Sequence, residues 1–245
     1  MMTLLFGIMY TIHHRVATSD VGPDRLMKVG SMGMLMQDCS TFQFEADPKF
    51  AACLQEYEMG VFMVSRQLDI LRRPQYGEEI EIGTWVHACK GFYGLRNTTI
   101  RDAAGRLCVA CFCVGAFVKR ATGRPFVMPQ SSYEDMLGGA PLEMEYLPRK
   151  IAVPAELDFK EIRRDYVEPG YMDANGHLNA GRSLDIAAAC MDYPLKRVRV
   201  EYKAQGRPGV PFVVERADVA PAHSYVRLRS VEGEEFSVYE FVGEL

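Results

Sequence analysis

Two stretches of this chain open on an aspartate, pass through glycine and close on leucine just before a helix-patterned segment: Asp20-Val-Gly-Pro-Asp-Arg-Leu26 and Asp173-Ala-Asn-Gly-His-Leu178. Self-similarity over so long a period indicates a duplicated domain, not a solenoid of short repeats. Whatever fold one half adopts, the other must adopt too. At 245 residues the chain is long enough for two modest domains or one large one, and either buries a sizeable core.

Each half is patterned for sheet. Residues 61–70, 79–88, 92–101 and 107–119 read as strands. Pro74 and Gly77, then Lys90-Gly91, then Asp102-Ala-Ala-Gly105 supply the turns between them. Upstream, over 25–40, Leu26, Met32, Leu35, Met36 and Cys39 fall near helical spacing despite Gly30 and Gly33. The methionines fit core packing, because flexible thioethers fill irregular gaps. The order returns in shortened form: a strand at 159–167, a Gly-rich turn at 168–176, a helix at 180–193, and strands at 195–204, 212–219, 224–231 and 235–242. From Lys119 to about Pro154 the pattern dissolves into Gly, Pro and polar residues, the composition of a linker. The expected division is 1–130, a linker at 131–154, and 155–245. A helix packed by a long antiparallel sheet, twice over, is an α+β arrangement.

Composition narrows the function. A net charge of −4 with 24% charged residues argues against a nucleic-acid partner. The opening MMTLLFGIMYTIHHRV has no basic leader or small-residue cleavage site, and its apolar run is too short to span a bilayer. It reads as a first strand, with no membrane insertion and a cytoplasmic location. The seven cysteines lack the paired spacing of a secreted disulfide framework. Cys108, Cys111 and Cys113 lie in an apolar strand with no downstream Cys/His pair to complete a tetrahedral metal site. Neither a metal nor an organic cofactor is expected.

The densest polar cluster is Asp173-Ala174-Asn175-Gly176-His177-Leu178-Asn179, immediately before the second helix. In an extended turn, alternation points Asp173, Asn175 and His177 to one side. A carboxylate or imidazole can activate water, while an amide or a helix N-terminal N–H polarises a carbonyl, which suits acyl transfer. Helix capping alone explains one of these side chains and leaves His177 and Asn179 unaccounted for. Elsewhere, His13, His14, His87 and His223 read as satisfied or solvent-facing imidazoles. No Gly-x-Ser-x-Gly elbow or phosphate-binding loop is present. Lys119-Arg120 with Arg124, Arg163-Arg164, and Lys196-Arg197 with Arg199 form basic clusters that suit either an acidic partner or solvent.

The motif resembles that of the acyl–acyl carrier protein (ACP) thioesterases, whose second hot-dog repeat carries Asp-x-Asn-x-His-x-Asn before its central helix. Asp173, Asn175, His177 and Asn179 match it. The first half is similar to that family from Asp20 to Pro129. The likeness is clearest in Arg73-Pro-Gln-Tyr-Gly-Glu-Glu-Ile-Glu-Ile, followed by Thr84-Trp85, Phe92, Arg96 and Asp102-Ala-Ala-Gly105. The resemblance implies two tandem hot-dog repeats, each a long helix wrapped by an antiparallel β-sheet. The second repeat would hydrolyse fatty acyl thioesters on ACP and the first would hold the chain. It also implies catalytic roles for Asp173, Asn175 and His177, substrate binding by Asn179, and an acid three residues past an aromatic on the following strand. That place, after Tyr202, is held by Gln205, and Glu201 is too far along the strand to replace it. Ala180, Ser183 and Gly206 also depart from the pattern. An acyl-CoA thioesterase and a non-catalytic acyl-binding protein are the alternatives. Internal pairing of the repeats is compatible with a monomer or a homodimer.

Overall fold

The computed structural model describes residues 9–174 and 176–244. Residues 1–8, where the first strand was expected to begin, and the candidate residue Asn175 lie outside the described residues. The first half runs β1 (Tyr10–Arg15), α1 (Val29–Ala46), α2 (Pro48–Glu56), β2 (Met59–Ile70), β3 (Glu79–Lys90), β4 (Tyr93–Asp102) and β5 (Leu107–Lys119). The second runs β6 (Lys160–Tyr166), α3 (Ala180–Ala188), β7 (Leu195–Tyr202), β8 (Pro211–Ala220), β9 (His223–Ser230) and β10 (Glu235–Gly243).

The strands of the described residues form one antiparallel sheet in the order β1-β3-β4-β5-β2-β7-β10-β9-β8-β6. The halves join where Ser65 to Asp69 of β2 pair with Glu201 to Arg197 of β7. Arg197 Nε donates to Asp69 Oδ1 at 2.6 Å across that seam. The sheet curls around α1 and α3, and Met32, Met36, Cys39 and Leu184 are at most 1% exposed beneath it. Each such Met or Leu contributes about 2 kcal/mol by leaving water.

The helices cross glycine on glycine. A Cβ built on Gly30 would stand 2.6 Å from the Gly181 carbonyl oxygen, and one on Gly181 would stand 2.9 Å from that of Gly30. Only residues without a side chain let the backbones approach so closely. Asp185 of α3 seals the crossing by accepting a hydrogen bond from Gly30 N at 2.9 Å.

Hydrogen bonds reveal the register of the duplication. Gly22 N donates to Leu26 O and Arg25 N to Gly22 O; Asp173 N donates to His177 O and Gly176 N to Asp173 O. The bridges Val21–Met27 and Met172–Leu178 match, and Arg25 and Gly176 share a left-handed backbone at φ 60° and 74°. Asp173 thus corresponds to Gly22, not to Asp20 as the sequence suggested, and His177 corresponds to Leu26. Spacing misled by two residues because both loops hold an aspartate near a glycine, while hydrogen bonding fixes the turn.

Three elements differ from expectation. α1 runs to Ala46, beyond residue 40, and α2 follows at once: Asp47 Oδ1 accepts from Phe50 N at 2.9 Å and Pro48 occupies the first turn, a start signal present in the sequence. α3 ends at Ala188 rather than 193. Pro194 disfavours a helical Tyr193, whose Oη instead donates to Ser224 Oγ at 2.9 Å. β7 ends at Tyr202, so Gln205 lies in a loop and not on the strand. Leu178 N donating to Gly206 O at 3.3 Å ties that loop to the motif. The segment expected to be a linker runs along the sheet's outer face, where Gln67 Nε2 donates to Glu145 O at 2.8 Å and Tyr146 Oη to Asn97 Oδ1 at 3.0 Å.

Candidate active site

The turn from Asp173 to Asn179 is tight, not extended. Asp173 Oδ1 accepts from His177 N at 3.1 Å, and Gly176 supplies the left-handed residue that closes the loop. Asn179 caps α3, its Oδ1 accepting from Gly181 N at 2.8 Å and Arg182 N at 3.1 Å. Its backbone N donates to Tyr171 O at 2.8 Å. The cap fixes where the helix starts and so holds His177 two residues ahead of it.

A cavity of about 920 Å³ begins at this loop and runs into the first half. Asp173, His177 and Gln205 all line it, so the structure brings together three of the sequence candidates. Asn179 is not in its wall; the side-chain oxygen expected to bind substrate is spent on the cap. Glu201 is also elsewhere, accepting from Ile151 N at 3.1 Å. His177 is half-buried, its ring 5.7 Å from that of Phe62 on β2. Gln205 is exposed at the rim.

Beyond the loop the cavity passes between α1, α2 and strands β2 to β5, over Phe44, Phe50, Leu54, Val61 and Phe117. Gly94 and Gly115, paired across β4 and β5, form a floor with no side chains. Sequence reasoning missed this wall, although glycine inside an apolar strand is a known mark of close ligand approach. Nearer the loop, Tyr202 Oη donates to Ala180 O at 3.2 Å, and burial raises its pKa far above the phenol range. It therefore acts as a neutral donor. Gln37 reaches the wall from α1, and its buried Oε1 has no hydrogen-bond partner among the described residues.

An apolar tunnel ending at an imidazole, a carboxylate and an amide can house an acyl chain and present its carbonyl to water. With a central helix in each half, α1 and α3, wrapped by a shared sheet, the molecule is a double hot-dog protein of the thioesterase class. The acyl-ACP thioesterase N-terminal domain matches residues 7–135, more than half of the chain. The chain belongs to the acyl-ACP thioesterase family. An acyl-ACP thioesterase from Bacteroides thetaiotaomicron is similar at 18% identity and TM-score 0.87, covering 96% of this chain and 98% of its own. A 12:0-ACP thioesterase from Umbellularia californica gives 14%, 0.77, 97% and 98%. An oleoyl thioesterase from Lactobacillus plantarum gives 16%, 0.80, 97% and 98%. At these identities the likeness speaks for the fold. No curated protein sequence matches the chain. Among the described residues no helix is long and apolar enough to cross a membrane.

Proposed function

We propose that the chain hydrolyses fatty acyl thioesters on ACP, residues 1–130 holding the acyl chain and residues 155–245 supplying the chemistry. The supporting observation is the single cavity that joins Asp173, His177 and Gln205 to the glycine floor of the first half. His177 and Asn175 orient the thioester and its attacking water, Asp173 braces the loop, and Asn179 acts through its cap as a positioning residue. Release of thiol from acyl-ACP thioesters of graded length, with acyl-CoA in parallel, is the test. No turnover on any of them would leave only an acyl-binding protein, and preference for CoA would reassign the carrier.

Gln205 can hold a water by hydrogen bonds but cannot take its proton at neutral pH, so that proton goes to His177 or Asp173. A carboxylate at the same place adds a base. Gln205→Glu is nearly isosteric and is expected to raise kcat by up to ~100-fold, or to shift the acidic limb of its pH profile. The check is kcat against pH for both proteins. An unchanged profile would mean that the existing base already suffices.

The glycine floor should set chain length. A Cβ on Gly94 meets only the tip of the Phe117 ring, at 3.3 Å, so Gly94→Val folds and fills part of the cavity. Each methylene that no longer fits costs about 1–3 kcal/mol in discrimination. Relative kcat/KM on the longest accepted chain should therefore drop at least ~10-fold against the shortest. Equal losses at all lengths would place the chain elsewhere.

A further inference from the structure

Arg96 of β4 stands in the cavity wall and is 7% exposed. Its Nη1 donates to Gln43 Oε1 and to Thr84 Oγ1, and its guanidinium lies 4.7 Å from the centre of the Phe44 ring, which also lines the cavity. All these partners are neutral. The buried Nη2 has no acceptor among the described residues. Burial lowers the pKa only to about 10, so the group is a cation at neutral pH. A buried charge without a counter-charge is costly to maintain.

The cross-strand register sharpens the anomaly. Cys113 pairs with Arg96 on one side and with Arg66 on the other. Arg66 is 2% exposed, its Nη1 donating to Gly33 O at 3.0 Å and its Nε unpartnered among the described residues. A hydrogen bond with Cys111 and the flanking guanidiniums pull the Cys113 thiol toward thiolate. Even a full thiolate balances one of the two cations. The acyl cavity thus has in its wall a buried guanidinium whose charge a saturated hydrocarbon chain leaves unanswered.

We propose that Arg96 forms a polar subsite for an acyl chain bearing an acceptor oxygen, as a hydroxyl, keto or carboxylate group, in its distal part. The inference rests on the thioesterase reading and names the substrate class within it. The oxygen is distal because β4 lies two strands from the β2 residue that meets His177, roughly 10 Å across the sheet. Phe44 lies on the guanidinium, so an incoming chain meets the ring and the cation together. Such an oxygen, once the guanidinium turns its unpaired Nη2 edge to the cavity, supplies the missing acceptor, and a carboxylate neutralises the charge as well.

The test compares wild-type kcat/KM on acyl-ACP thioesters of matched length with a methyl end, a terminal hydroxyl or a terminal carboxylate, across a ladder of lengths. An oxygenated chain should exceed its methyl-ended match by ~10-fold or more at some length. A methyl-ended chain that equals or exceeds both at every length overturns the proposal. Arg96→Met should abolish the preference and raise Tm, because it removes an unmatched buried charge. Should that variant fail to fold, the wild-type ladder decides alone. Calorimetric binding of the same chains with the reacting carboxyl blocked as its methyl ester, so that only the distal group differs, reads the subsite without turnover: distally oxygenated chains binding ~10-fold tighter support it, and equal binding overturns it. Absence of turnover on every thioester would overturn the thioesterase reading and leave the calorimetry to judge the subsite.

Discussion

Replacing His177 by Ala should leave a folded protein whose kcat has fallen by ~100-fold or more. The imidazole lines the cavity beside Asp173, and among the described residues no other histidine does. The loop itself is held by contacts that do not involve the imidazole. Asp173 accepts from the His177 amide, Gly176 closes the turn, and the Asn179 cap begins α3. None of these needs the ring, so circular dichroism and Tm should stay near wild type. The measurement is kcat and KM on one acyl-ACP substrate. A near-normal kcat would remove His177 from the chemistry and leave Asp173 as base. A lost fold would be read instead with His177→Gln, which keeps a polar side chain of similar reach.

The largest expected effect on stability lies at the helix crossing. In Gly181→Val the first added atom would stand 2.3 Å from Met34 Cγ and 2.9 Å from the Gly30 carbonyl oxygen. The methionine can move; the backbone carbonyl can do so only if the helices part. Parting them stretches the Gly30–Asp185 hydrogen bond and opens the core around Met32 and Leu184. Overpacking of this kind costs about 3 kcal/mol or more, a large share of the 5–15 kcal/mol that holds a typical domain together. For a chain of this size the loss corresponds to a Tm lower by roughly 10 °C. Thermal melts of Gly181→Val beside Gly94→Val check it. Equal, small losses in both would show that the crossing tolerates separation.

The strands were legible because antiparallel ribbons punctuated by Gly and Asp leave a local signal, and β5 begins and ends where the pattern placed it. At the end of α3, Pro194 was a local stop signal, whereas the tertiary bond from Tyr193 to Ser224 that holds the chain there leaves no local pattern. The motif before α3 was visible as a polar cluster, but the job of each member was not. The resemblance implied a catalytic role for Asp173 and substrate binding for Asn179, while in the fold the carboxylate braces a turn at the cavity wall and the amide caps a helix. The cavity itself depends on residues far apart in sequence, such as Phe62, Gly94 and Gly115, that meet only through sheet register. Arg96 could be quoted as part of a resemblance, yet its burial among neutral partners could emerge only from the packed structure.

The paired turns at Gly22–Leu26 and Asp173–His177 bear on how such a molecule can change. In an assembly of two identical copies, a substitution lands on both sides of the axis at once, and whatever enlarges the binding wall also alters the reactive loop. Covalent duplication lifts that restriction. Leu26 and Gly22 stand where His177 and Asp173 stand in the other copy, so each polypeptide carries the imidazole and carboxylate of that loop once. Every residue of the tunnel wall in the first half is then free to drift toward a new chain shape without a matching change in the half that holds the His177 loop.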